Sequence, residues 1–157
     1  FETKAETEVL LSRSGLSHTI VGPTYFYDNL LGGLDDVMAG RLDLPLPIDT
    51  QLQQLSRRDL GRFVTLVLME PARFRDKRID LASDDPTPAA MATTLGRVFG
   101  TTVRPHASRA ADIASEDMRA MFQFLTDVGY DADIDGLRST YPEVEWQTFA
   151  QWSAALA

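Results

Sequence analysis

The chain has 157 residues, 15 basic and 23 acidic, giving a formal net charge of −8 and a pI near 4.6. With 44% apolar residues and no cysteine, it is no disordered tail, and it has no disulfide framework, thiolate metal site or cysteine nucleophile. The acidic balance argues against nucleic acid or an anionic membrane as partner. The longest apolar run, Phe63 to Met69, is too short to cross a bilayer, and no signal segment opens the chain. The expectation is a soluble, cytoplasmic globular chain.

Thr3 to Ser14 reads as a helix closed by Gly15 in a left-handed cap. Thr19-Ile20-Val21 is a short β-branched strand running into Gly22-Pro23. Tyr25 to Met38 reads as a helical turn or two, broken near Gly32-Gly33. In Arg41 to Pro47, leucines alternate with Asp43, Pro45 and Pro47, the pattern of an edge strand or extended ribbon. Ser56, with Asp59 three residues on, starts a helix whose apolar face is Leu60, Phe63, Val64, Val67 and Leu68, ended by Pro71. Lys77 to Ala82 alternates as a strand. Thr87-Pro88 opens a helix running to Gly100, and a short strand follows at Thr101 to Arg104. Ser115 caps a further helix with Met118, Met121, Phe122, Leu125 and Val128 inward. Trp146, Phe149, Trp152 and Leu156 close the chain at helical spacing. About four strands alternating with five or six amphipathic helices indicate α/β or α+β organisation. Four short strands make a thin sheet, as though part of something larger.

Few motifs carry chemistry. Asp131-Ala132-Asp133-Ile134-Asp135-Gly136 matches the first half of a calcium loop, but its twelfth position is Pro142 where a bidentate glutamate is required. It reads instead as an acidic turn capping the next helix. His18 and His106 lack companions at metal-ligand spacing, so no metal site is expected. Asp84-Asp85 reads as acids ahead of a helix N-terminus. There is no Gly-x-Ser-x-Gly and no phosphate-cradling glycine loop. Three aromatics, Tyr25, Phe26 and Tyr27, follow a strand end together with Asn29. They either flank a flat ligand where open α/β sheets bind one, or they fill the core.

Phe1-Glu2-Thr3-Lys4, Ser14-Gly15-Leu16, Thr19-Ile20-Val21-x-Pro23 and Phe26-x-x-Asn29-Leu30-Leu31 resemble the NmrA-like family of atypical short-chain dehydrogenases/reductases. Asp59-Leu60-Gly61, Ile79-x-Leu81-Ala82, Gly129-Tyr130 and Tyr141-Pro142 fit its later part. The resemblance covers nearly the whole chain but only the C-terminal half to two-thirds of a family member. It implies α/β structure: one partial domain over residues 1–157, the C-terminal part of a Rossmann-type NAD(P)-binding fold with a small α/β substrate-side region. The glycine-rich loop of that fold is absent, and more than about 100 residues are expected upstream.

The resemblance implies NAD(P) as cofactor, NADP being favoured, held only weakly by this chain alone. Lys4 would be the catalytic lysine, contacting the nicotinamide ribose, though the tyrosine that precedes it by four positions would fall before Phe1. Pro23, Thr24, Tyr25 and Phe26 would line the nicotinamide side, and Tyr27 and Asn29 the substrate mouth. Gly22 stands where many relatives carry arginine. The implied function is NAD(P)H-dependent reduction of a small carbonyl or quinone-like compound, so the partners are a dinucleotide and a small substrate. The rival is a non-catalytic sensor that binds dinucleotide and regulates a protein partner.

Overall fold

A computed structural model describes residues 2–156; Phe1, the opening residue of the family-like pattern, lies outside them. Among the described residues six strands pair two by two, always in parallel. β1 (Thr19–Pro23) pairs with β5 (Lys77–Leu81), β2 (Tyr25–Phe26) with β4 (Gln54–Leu55), and β3 (Arg41–Leu44) with β6 (Arg104–Ala107). Parallel neighbours need long crossovers. Here these carry α2 (Leu34–Met38), α3 (Arg57–Met69), α4 (Pro71–Phe74) and α5 (Pro88–Phe99). α1 (Glu2–Arg13) precedes the first strand, while α6 (Glu116–Asp127), α7 (Ile134–Thr140) and α8 (Phe149–Ser153) complete the chain.

The local signals work where the chemistry is local. Gly15 ends α1 and Gly100 ends α5, both with positive φ, a conformation in which a side chain would be strained. Ser56, Thr87, Ser115 and Asp133 each accept a backbone N–H in the first turn of the helix they precede. Asp133 bonds Gly136 N at 2.9 Å, the capping role read from the sequence. Leu42, Leu44 and Leu46 all point inward, as the alternation of that ribbon requires.

Several expectations are corrected. The strand placed at Thr101 to Arg104 begins at Arg104, and β4 had no signal because two residues are too few for a period. On α3 the inward stripe runs through Asp59 and Phe63, with Leu60, Leu66 and Val67 beside them, so Val64 and Leu68 face outward. Placing the stripe by apolar residues alone rotates it, because an acid occupies its centre. On α6 only Phe122 and Leu125 are fully inward, with Met121 half-buried; Met118 and Val128 sit at the ends, beyond the core. Asp84 does serve a helix N-terminus, but that of α8: its Oδ2 accepts Phe149 N at 2.8 Å. Trp146 is buried ahead of that helix rather than on it.

The Asp59 carboxylate is 0% exposed. Its Oδ2 accepts the Ser83 hydroxyl and the Gln147 backbone N–H, each at 2.7 Å. Gln147 in turn accepts the Tyr27 hydroxyl on its carbonyl and the Ser56 hydroxyl on Oε1, both at 3.0 Å. Four segments distant in sequence thus meet at one carboxylate and one glutamine. Asp59→Ala strands the Gln147 N–H and the Ser83 hydroxyl in the interior, and urea unfolding is expected to register a loss of about 3 kcal/mol. Asp59→Asn keeps an acceptor oxygen and loses clearly less. Tyr27→Phe removes a single hydrogen bond from the same hub and costs about 1 kcal/mol in that assay.

Candidate functional site

The carboxyl ends of parallel strands leave backbone and loop residues facing an open crevice, where α/β folds bind ligands. At the end of β1 and β5, Pro23 pairs with Leu81, and the chain continues through Thr24, whose N–H and hydroxyl both donate to the Leu81 carbonyl, at 3.1 and 2.9 Å. Thr24 is therefore buried and fixed, while Pro23 projects outward. Beside them lies a cavity of about 560 Å³, within the usual range for small-molecule sites. Gly22, Pro23 and Thr24 form one wall; Met121 and Phe124 of α6, with Tyr130 and Ala132 beyond it, form the other.

The extended backbone from Thr24 to Tyr27 sends successive side chains in opposite directions. Tyr25 joins Phe122, with ring centroids 6.3 Å apart, in the cluster around Leu46 and Leu52. Phe26 turns the other way, against the cluster of Leu55, Phe63 and Trp146. Tyr27 enters a third cluster, edge-on to Phe149 at 5.5 Å and tilted on Trp152 at 5.4 Å. The three aromatics thus leave in different directions instead of flanking one space. Tyr27 is wholly buried; burial first, then the Asp84 and Asp59 carboxylates, push its hydroxyl far above the ordinary phenol range. Asn29 is exposed and lines, with Tyr25, a separate hollow of about 210 Å³. Burial raises the Tyr25 pKa, against the pull of its hydrogen bond with Asn29. Lys4 is exposed on the first turn of α1 and does not line the 560 Å³ cavity.

Of the predicted site residues, only Pro23 and Thr24 share that cavity. Tyr130 and Phe124 were not singled out for a site, since nothing local marks them: they reach it because α6 and the turn after it pack back toward β1. Tyr130 stacks edge-on against Phe124 at 5.8 Å. Its hydroxyl makes no hydrogen bond among the described residues, and burial raises its pKa above the ordinary phenol value. Gly22 also acquires a reason. A Cβ there would collide with the Asp80 carboxylate and stand 3.1 Å from the Arg78 guanidinium, so the neighbouring strand's charges occupy the space above it.

A ring-sized group fits this cavity, and no residue lining it begins a helix, so a pyrophosphate there would find no free helix amides. A capping side chain engages one N-terminal N–H on each of α3, α5, α6, α7 and α8, while α2 and α4 have no side-chain cap. No group of three or more potential metal ligands occurs among the described residues. His18 Nδ1 lies 2.9 Å from the Leu16 carbonyl, and His106 pairs with Asp43 at 3.3 Å. No helix among the described residues is long and apolar enough to cross a membrane.

Comparison with solved structures finds the same fold repeatedly. A nucleoside-diphosphate-sugar epimerase from Staphylococcus aureus superposes with a TM-score of 0.75 at 20% identity, covering 96% of this chain and 56% of that one. An NADPH-dependent quinone oxidoreductase from Escherichia coli gives 0.75 at 21% identity, covering 99% and 60%. NmrA, a negative transcriptional regulator in complex with NADP, gives 0.71 at 14% identity, covering 98% and 56%. The chain therefore spans little more than half the length of these relatives. No curated protein sequence matches it. The model of the NmrA-like family matches residues 1–153, nearly the whole chain. With its parallel α/β architecture and a cavity at the carboxyl ends of its strands, the chain belongs to the NmrA-like family.

Proposed function

We propose that this chain forms the nicotinamide and substrate side of an NAD(P)H-dependent reductase acting on a small, flat carbonyl or quinone-like compound. The observation that supports the reading most is the largely carbon-walled cavity beside Pro23 and Thr24, of a size that suits two stacked rings. A bound dinucleotide supplies the hydride; the chain's own residues supply placement. Pro23 and Thr24 form the fixed wall against which the nicotinamide rests, with Tyr25 and Phe26 anchoring that wall to two separate core clusters. Tyr130 donates a hydrogen bond to the acceptor's carbonyl oxygen. Tyr27 holds the loop through Gln147, while Asn29, beside Tyr25, lies in the separate hollow and takes no part in this cavity. Lys4 reaches the nicotinamide ribose, and NADP is the favoured cofactor.

A sensor of the dinucleotide would bind the ring without turning it over, and that difference is measurable. The uncharged donor N-benzyl-1,4-dihydronicotinamide needs no pyrophosphate cradle. With it, the chain is expected to speed reduction of 1,4-naphthoquinone at least about tenfold over buffer, by holding the rings together. Binding of the donor without acceleration contradicts the reductase reading and favours the sensor. In a calorimetric titration, NADPH is expected to bind no more than about tenfold tighter than this fragment, because no helix N-terminus lines the cavity to hold its pyrophosphate. Micromolar NADPH binding would contradict it.

A further inference from the structure

The cavity is carbon-lined within and charged at its mouth. Met121, Phe124 and Ala132 give the walls, while Arg78, Asp80 and Asp131 are the charged groups that line it. Arg78 is not free to receive an anion. Its guanidinium is paired with Glu8 of α1, and Nη2 lies 2.8 Å from Asp80 Oδ1. Asp131, exposed on the turn after α6, makes no ion pair among the described residues. Two carboxylates, Asp80 and Asp131, therefore stand against one guanidinium around the opening, and that guanidinium is already paired on its far side with Glu8. The remaining polar group of the strand wall, the Thr24 hydroxyl, already donates to the Leu81 carbonyl. An entering anion meets excess negative charge and finds no uncommitted cation.

We propose that this mouth is a charge filter: the cavity accepts flat ligands that are uncharged and rejects anionic ones, with Asp80 and Asp131 as the residues that set the preference. The proposal rests on the cavity being the substrate site and adds the charge class of what enters it. It implies that the Gly22 position is kept bare for a reason of specificity as well as space, since a side chain there would drive the Asp80 carboxylate from the mouth.

The test uses two probes of the same shape, 2-naphthamide and the 2-naphthoate anion, titrated calorimetrically into the chain with no nicotinamide present. At low ionic strength the amide is expected to bind at least about tenfold more tightly than the carboxylate. About 1 M salt should shrink that gap to within about threefold, as screening over a few ångströms requires. The double substitution Asp80→Asn, Asp131→Asn should do the same at low salt. Asp131→Asn alone, on an exposed turn that folding does not depend on, should shift the ratio in the same direction. Equal or tighter binding of the carboxylate overturns the proposal, as does a gap that survives both salt and substitution, or an amide that does not bind. Because no hydride donor is present, absence of reductase activity leaves this ranking untouched, so the two readings fail separately.

Discussion

A carboxylate buried without exposure is costly unless the interior meets its charge with hydrogen bonds, and Asp59 is the point on which this structure turns. It sits in the first turn of α3, where the helix dipole favours an acid. Its Oδ2 gathers the Ser83 hydroxyl, just beyond β5, and the Gln147 backbone, just before α8. Gln147 extends the grip to the Tyr27 hydroxyl, and so to the loop that leaves β2. The connections at the carboxyl ends of the strands are therefore tied to one another rather than merely adjacent. That is what gives the wall of Pro23 and Thr24 a fixed position.

The cavity follows from how the core divides. Three apolar clusters are organised around different strands, and the aromatic run Tyr25-Phe26-Tyr27 contributes one ring to each. α6 belongs to only one of them, held through Phe122 and Leu125 against Leu46 and Leu52. Phe124, with Met121 at the edge of that cluster and Tyr130 on the following turn, faces β1 across open space. A helix anchored along one edge and a strand end anchored by Asp59 leave a gap between them. The gap is bounded by carbon on its walls and by carboxylates at its opening.

The sequence carried its local chemistry plainly: Ser56, Thr87, Ser115 and Asp133 cap the helices they precede, and the leucines of Arg41 to Pro47 alternate as an extended segment must. The family resemblance was equally legible and gave the fold. What could not be read were features made by distant segments meeting. β4 exists only because Gln54 and Leu55 lie beside Tyr25 and Phe26. The face of α3 is centred on an acid whose partners lie 24 and 88 residues away. Pro23 and Thr24 could be placed at a strand end, but Tyr130, Phe124, Arg78 and Asp80 join them only through packing across elements. The aromatic loop shows the same limit: composition put three rings together, and backbone alternation took them apart.

The central claim is that the space between the β1–β5 end and α6 receives a flat, uncharged ring. A crystal of the chain soaked with 2-naphthamide tests it most directly. The account predicts the ring lodged between Pro23–Thr24 and Phe124–Tyr130, with its carbonyl oxygen toward the Tyr130 hydroxyl. A ring in the hollow beside Asn29 and Tyr25, or a soaked crystal with that cavity still empty, would contradict it.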